Sequence, residues 1–275
     1  MINLRTNLRI GLYCLVGGLP LTIAGLGAGH VAWWWLSGVM LAAAFVPVAR
    51  FGPRGVLRQF STILLFLVIV GSVCTLSEAV IFLPGQREVA GRNLAGGIVT
   101  YLIVAGVLAF LAKVLKLTES STSIEERRPL AAAALMVGLS GVAYVVYYLI
   151  FGSITYYFLT RQYYPEAEKT VLALGWWFWL IEWARGILMT LAALPVIYTL
   201  RMRRWHAALA VGALLWIVGG AAPLLVPNVL MTATQRAIHI VEILTGNMLL
   251  GITAVLLLRP KSAAPDPLLQ PATGR

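Results

Sequence analysis

The chain has 275 residues, 60% of them hydrophobic and only 11% charged, against roughly a quarter charged in ordinary soluble domains. Mean hydropathy is +0.87 and the formal charge is +11. Together these exclude a soluble globular fold, and they exclude a nucleic-acid partner as well, because the basic residues sit in short loops between apolar runs, where they set membrane topology.

A helix crosses the hydrocarbon core with roughly 20 apolar residues, and eight such stretches follow one another along the chain. They run from Leu8 to Leu26, Val31 to Ala49, Phe60 to Leu83, Leu94 to Leu115, Leu130 to Phe151, Val171 to Leu200, Ala207 to Val226, and Ala237 to Leu258. The expected fold class is therefore all-α, a polytopic bundle of about eight transmembrane helices whose main partner is the lipid bilayer. The first stretch has a basic start like a signal peptide, but its apolar run is long and leads straight into a second span, so it reads as uncleaved. Cys14 near the start of the first span and Cys74 well along the third lie at different depths and are not expected to bridge. They read as packed thiols.

The segment Thr118 to Pro129, TESSTSIEERRP, is the longest internal hydrophilic stretch. It reads as a cytoplasmic linker between a first four-helix half, 1–117, and a second, 130–260; the Pro-rich tail 261–275 reads as disordered. A weak internal similarity agrees with this division. Trp33 to Leu36 precedes AAAFVPV in the first half, Trp176 to Leu180 precedes AALPVI in the second, and Pro84 with Arg92 corresponds to Pro227 with Arg236. Four spans per half would give parallel copies related by an axis along the membrane normal, although Trp and Pro near interfaces also recur without common origin.

Of the 21 Lys and Arg residues, fifteen fall on one side of this topology; Arg87, Arg92, Arg161, Lys169 and Arg236 fall on the other, and Arg185 lies inside a span. The excess places both termini in the cytoplasm of a bacterial-type inner membrane.

Seven of the ten acidic residues lie in loops or the tail, leaving Glu78, Glu182 and Glu242 inside spans three, six and eight. At roughly 1.5 Å per residue all three fall in the outer half. Arg185 follows Glu182 by three residues, which makes the two side chains neighbours on one helix face. An unpaired Arg in hydrocarbon costs at least about 3 kcal/mol, so pairing is favoured. The pair reads either as a structural lock or as an anion-holding Arg with a carboxylate counter-ion. In the stretch RAIHIVEILTGN, Arg236 to Asn247, His239 and Glu242 share the same spacing, with Arg236 one turn earlier and Asn247 deeper. Such a His–carboxylate pair could ligate a metal, relay protons, or simply satisfy itself. The metal reading is weak, since there is no HExxH motif or cysteine pair and His30 is the only other outer histidine. No cofactor is assigned.

Tyr144, Tyr147, Tyr148, Tyr156, Tyr157, Tyr163 and Tyr164 make the stretch from 144 to 165 the most aromatic of the chain. An interfacial belt is the commonest use of such residues; a wall or lid over a pocket is the alternative, with a break permitted at Gly152 and Ser153. Gly96, Gly97, Gly138, Gly141, Gly219 and Gly220 read as close-packing points, and Pro20, Pro47, Pro195 and Pro223 as kinks. Phosphate loops, Gly-x-Ser-x-Gly elbows and intramembrane Asp residues are absent from the sequence, which argues against a nucleotide-driven pump or an aspartyl protease. The expectation is an outward-opening pocket lined by Glu78, Glu182, Arg185, Arg236, His239, Glu242 and Asn247, in a secondary carrier of a small anionic, amphipathic or lipid-like solute. A metal-assisted membrane enzyme or a structural subunit of a complex are the rivals; no catalytic residue is assigned.

Overall fold

The computed structural model describes residues 4–82, 90–119, 128–228 and 231–260. Most of the expected linker and the whole tail 261–275 lie outside these. The described residues are helical throughout, apart from loops and one isolated bridge between Asn228 and Met231. Eight helices are long and apolar enough to span a membrane: α1 (Leu4–Ala24), α2 (Val31–Phe51), α3 (Val56–Phe82), α4 (Leu94–Val114), α5 (Leu130–Thr160), α6 (Trp176–Thr199), α7 (Arg204–Leu225) and α8 (Ala233–Leu258). The protein is an all-α, multi-pass membrane protein.

The two boundaries that differ most from the sequence reading both lie beside the aromatic region. The chain does not break at Gly152 and Ser153: α5 runs on to Thr160 through two widened, π-type turns at Tyr148–Gly152 and Tyr156–Thr160. Its 31 residues would measure on the order of 45 Å at ordinary helical rise, longer than the hydrocarbon core. Span six begins later than expected. Gly175 sits at φ 56°, a left-handed conformation open to glycine, and ends the separate short helix Ala167–Leu174 before α6 starts at Trp176.

Helices in lipid gain little from hiding apolar surface from one another, so close backbone approach matters more. Three glycine pairs provide it. A Cβ on Gly38 of α2 would lie 2.5 Å from the Gly18 carbonyl oxygen of α1, one on Gly251 of α8 would lie 2.5 Å from the Gly212 backbone of α7, and one on Gly186 of α6 would lie 3.0 Å from Gly141 of α5. A Cβ at Gly96 or Gly138, both expected as packing points, would meet open space instead; at Gly138 the contact with α6 is made by the backbone carbonyl, which accepts from Trp183 Nε1 at 3.2 Å.

Helices α6 and α7 are the most enclosed. The densest packing surrounds them, with Phe45 of α2, Phe66 of α3, Met189 of α6, Leu214 of α7 and Leu250 of α8 all fully buried. One end of the bundle is tied by arginines donating to helix-terminal carbonyls. Arg259 at the end of α8 is buried and donates to Ile197 O (2.7 Å), Met202 O (3.2 Å) and Leu200 O. Arg128 donates to Leu257 O (2.7 Å), Arg201 to Gly52 O (3.0 Å) and Arg204 to Leu256 O, while Arg50 pairs with Glu119. The carbonyls left over at helix C-termini carry partial negative charge, so this basic end is a mechanical tie as well as a topology signal.

Candidate functional site

A cavity of about 610 Å³ opens at the end of the bundle opposite those arginines, within the range of small-molecule sites. Its walls come from α3, α5, α6, α7 and α8, joined by Tyr164, Glu168, Asn228 and Met231 from the connecting segments. Helix α6 stands at the centre, packing against α3, α5 and α8, and so brings together the polar groups of spans three, six and eight.

Each wall is shaped by a local feature of its helix. Helix α3 is wound as π-type turns from Leu67 to Cys74 before resuming at Thr75, just before Glu78. Helix α7 is widened at Ile217–Ala221, where Gly219 and Gly220 line the cavity. Helix α8 is started by a capping box: Thr232 Oγ1 accepts from the Gln235 backbone N–H at 3.3 Å and Gln235 Oε1 from the Thr232 backbone N–H at 2.8 Å, satisfying two donors that would otherwise be orphaned. Widened turns recur at functional sites because they shift side chains off the regular helical register.

Two polar groups result. In the first, Arg185 donates from one terminal nitrogen to Glu182 Oε2 (3.2 Å) and from the other to Glu78 Oε2 (2.8 Å), tying α6 to α3. Its guanidinium lies 5.7 Å from the Tyr144 ring centroid. Glu78 and Arg185 border the cavity, whereas Glu182 is fully buried behind them. Glu182 Oε1 and Arg185 Nε meet no hydrogen-bond partner among the described residues.

In the second, His239 Nδ1 lies 2.8 Å from Glu242 Oε2 and its Nε2 lies 3.1 Å from the Tyr164 hydroxyl. Burial raises the Tyr164 phenol above its ordinary pKa, so it keeps its proton. With the imidazole neutral, the phenol donates to Nε2 and Nδ1–H donates to Glu242; with the imidazole protonated, Nε2–H donates to the phenol oxygen instead. The Tyr164–His239–Glu242 chain can accept a proton without breaking. Asn247, buried deeper along α8, donates from Nδ2 to Leu215 O (3.1 Å). Gly219 must be small there, because a Cβ would come within 2.8 Å of that same nitrogen.

Five of the seven residues expected at the site therefore line one cavity: Glu78, Arg185, His239, Glu242 and Asn247. Glu182 stands behind the wall as the second partner of Arg185. Arg236 is not among the lining residues and donates to Met231 O at 2.9 Å, stabilising the turn into α8. Among the described residues no three His, Cys, Asp or Glu side chains are close enough together to share a metal ion. Glu78 and Glu182 gather on Arg185 rather than on His239.

Six of the seven tyrosines take part in the cavity wall. Tyr144 is buried, Tyr144, Tyr147, Tyr148, Tyr156, Tyr157 and Tyr164 all line the pocket, and Tyr148, Phe178 and Phe82 form a chain of edge-on ring contacts from α5 across α6 to α3, with centroids 5.8 and 6.1 Å apart. The pairing of Tyr164 with His239 was not visible in the sequence; the crowding of tyrosines was its only trace. Comparison with known proteins finds no family model, no curated protein and no solved structure that matches the chain.

Proposed function

We propose that this protein is a secondary carrier of a bacterial-type inner membrane that takes a small amphipathic solute into a pocket open to the outer face. The carrying observation is that ionisable groups from three spans border one roomy, aromatic-walled cavity, where each charge is costly unless it serves a purpose. The reading favours amphipathic over anionic solutes, because both terminal nitrogens of Arg185 are already held by carboxylates. The positive-inside rule puts the arginine-tied end in the cytoplasm and the cavity outside.

Below the cavity the path is shut. Tyr147 is bonded to Thr253 of α8 (2.8 Å), Asn247 to α7, and the packed core and arginine ties follow. This is the arrangement of an outward-open state, and the Tyr164–His239–Glu242 chain supplies a proton acceptor for coupling. The test is uptake by intact cells across a panel of amphipathic solutes, comparing wild type with Glu182→Gln and Glu242→Gln at equal membrane abundance. At least tenfold loss of uptake for one solute class is expected; unchanged uptake of every solute in both variants would sink the carrier reading.

A further inference from the structure

We infer that the pocket selects an organic cation, a quaternary-ammonium type of head on an apolar body. The inference rests on the carrier reading only for the pocket's being accessible from outside; its chemistry is independent.

The first argument is charge. At formal charges the groups on the wall and just behind it are three carboxylates, Glu78, Glu182 and Glu242, against one guanidinium, Arg185, giving −2 with His239 neutral and −1 with it protonated. Nothing nearby among the described residues reverses this. Glu168 also lines the cavity but lies 3.9 Å from Arg161, and Arg236 donates to the Met231 backbone carbonyl and is not among the lining residues. The second argument is the lack of an uncommitted cation for an anion to pair with. Each terminal nitrogen of Arg185 already donates to a carboxylate, and the His239 ring lies between Glu242 and the Tyr164 hydroxyl. Displacing Glu78 from Arg185 would give up that ion pair and set the carboxylate beside the incoming anion.

The third argument is the wall itself. Tyr148, Tyr156, Phe178 and Trp179 surround the cavity with aromatic rings, and ring faces attract cations, most strongly where water is excluded. The protein already places one cation this way, Arg185 against Tyr144. A permanently charged ammonium carries no N–H, so it needs no acceptor geometry. It asks only for ring faces and a nearby carboxylate, which Glu242 and Glu78 supply.

The experiment is equilibrium dialysis of the full chain in nanodiscs, with empty nanodiscs as blank, against three probes of similar length: phenylbutyl-trimethylammonium, its uncharged carbon isostere and phenylhexanoate. The ammonium is expected to bind at least tenfold more tightly than either of the others, and Glu242→Gln and Glu78→Gln are each expected to cut its affinity at least tenfold while leaving the isostere unchanged. Equal or tighter binding of the carboxylate or the isostere overturns the inference and leaves the carrier reading standing, as does unchanged ammonium affinity in both variants. Saturable binding of none of the three overturns both.

Discussion

Arg185 carries the largest electrostatic stake of any single residue in the site. It answers two carboxylates on two helices while itself almost wholly buried, so its removal strands both. Removing one partner of a buried pair typically costs about 3–5 kcal/mol. Arg185→Ala should lose at least that much stability in thermal unfolding of the purified protein, and Arg185→Lys should recover part of it, since an ammonium keeps the charge but not the two-pronged geometry. Equal stability of wild type and Arg185→Ala would mean that the triad is not formed. Tyr164 is a milder case: Tyr164→Phe removes one hydrogen bond to His239, worth about 1 kcal/mol, and a loss several times larger would point to a different role. At this scale much was legible. Three acids inside spans are too expensive to be incidental, and i, i+3 spacing named two of the pairs; the partners that come from other helices, Glu78 for Arg185 and Tyr164 for His239, depend on packing that spacing does not encode.

Among the helices, the glycine crossings and the widened turns determine whether the walls meet. Gly251 and Gly212 sit where α7 and α8 touch backbone to backbone, so Gly251→Val should separate the two helices and sharply reduce the yield of folded protein on size-exclusion chromatography. Gly96→Ala and Gly138→Ala, which meet only open space, should change stability by no more than about 0.5 kcal/mol; a defect as severe as that of Gly251→Val would contradict the packing described here. Spans were readable because apolar run length is a direct consequence of bilayer thickness. Their ends near residues 151 and 171 were not, since the extension of α5 to Thr160 and the turn at Gly175 lie in a stretch that is apolar and aromatic on both sides of the true boundary. Which glycines pack was equally hidden: Gly138 and Gly141 look alike in sequence and differ only in which way their helix faces.

Taken as a whole, the molecule is asymmetric from end to end. Arginines close one end through helix-terminal carbonyls, and an acidic, aromatic cavity opens the other. That asymmetry was foreshadowed by the loop charges, while the cavity's volume and its aromatic lining emerged only from the packing of five helices. The central claim is that this cavity is reached from the outside of the membrane, and Gly246 offers the most direct probe: it lines the cavity, and a side chain added there meets nothing within 4 Å. With Cys14 and Cys74 replaced by Ala, Gly246→Cys in intact cells should react with a small membrane-impermeant thiol reagent added outside, and should be protected by a bound solute. Reaction only from the cytoplasmic side of inverted vesicles, or none from either side, would contradict the account.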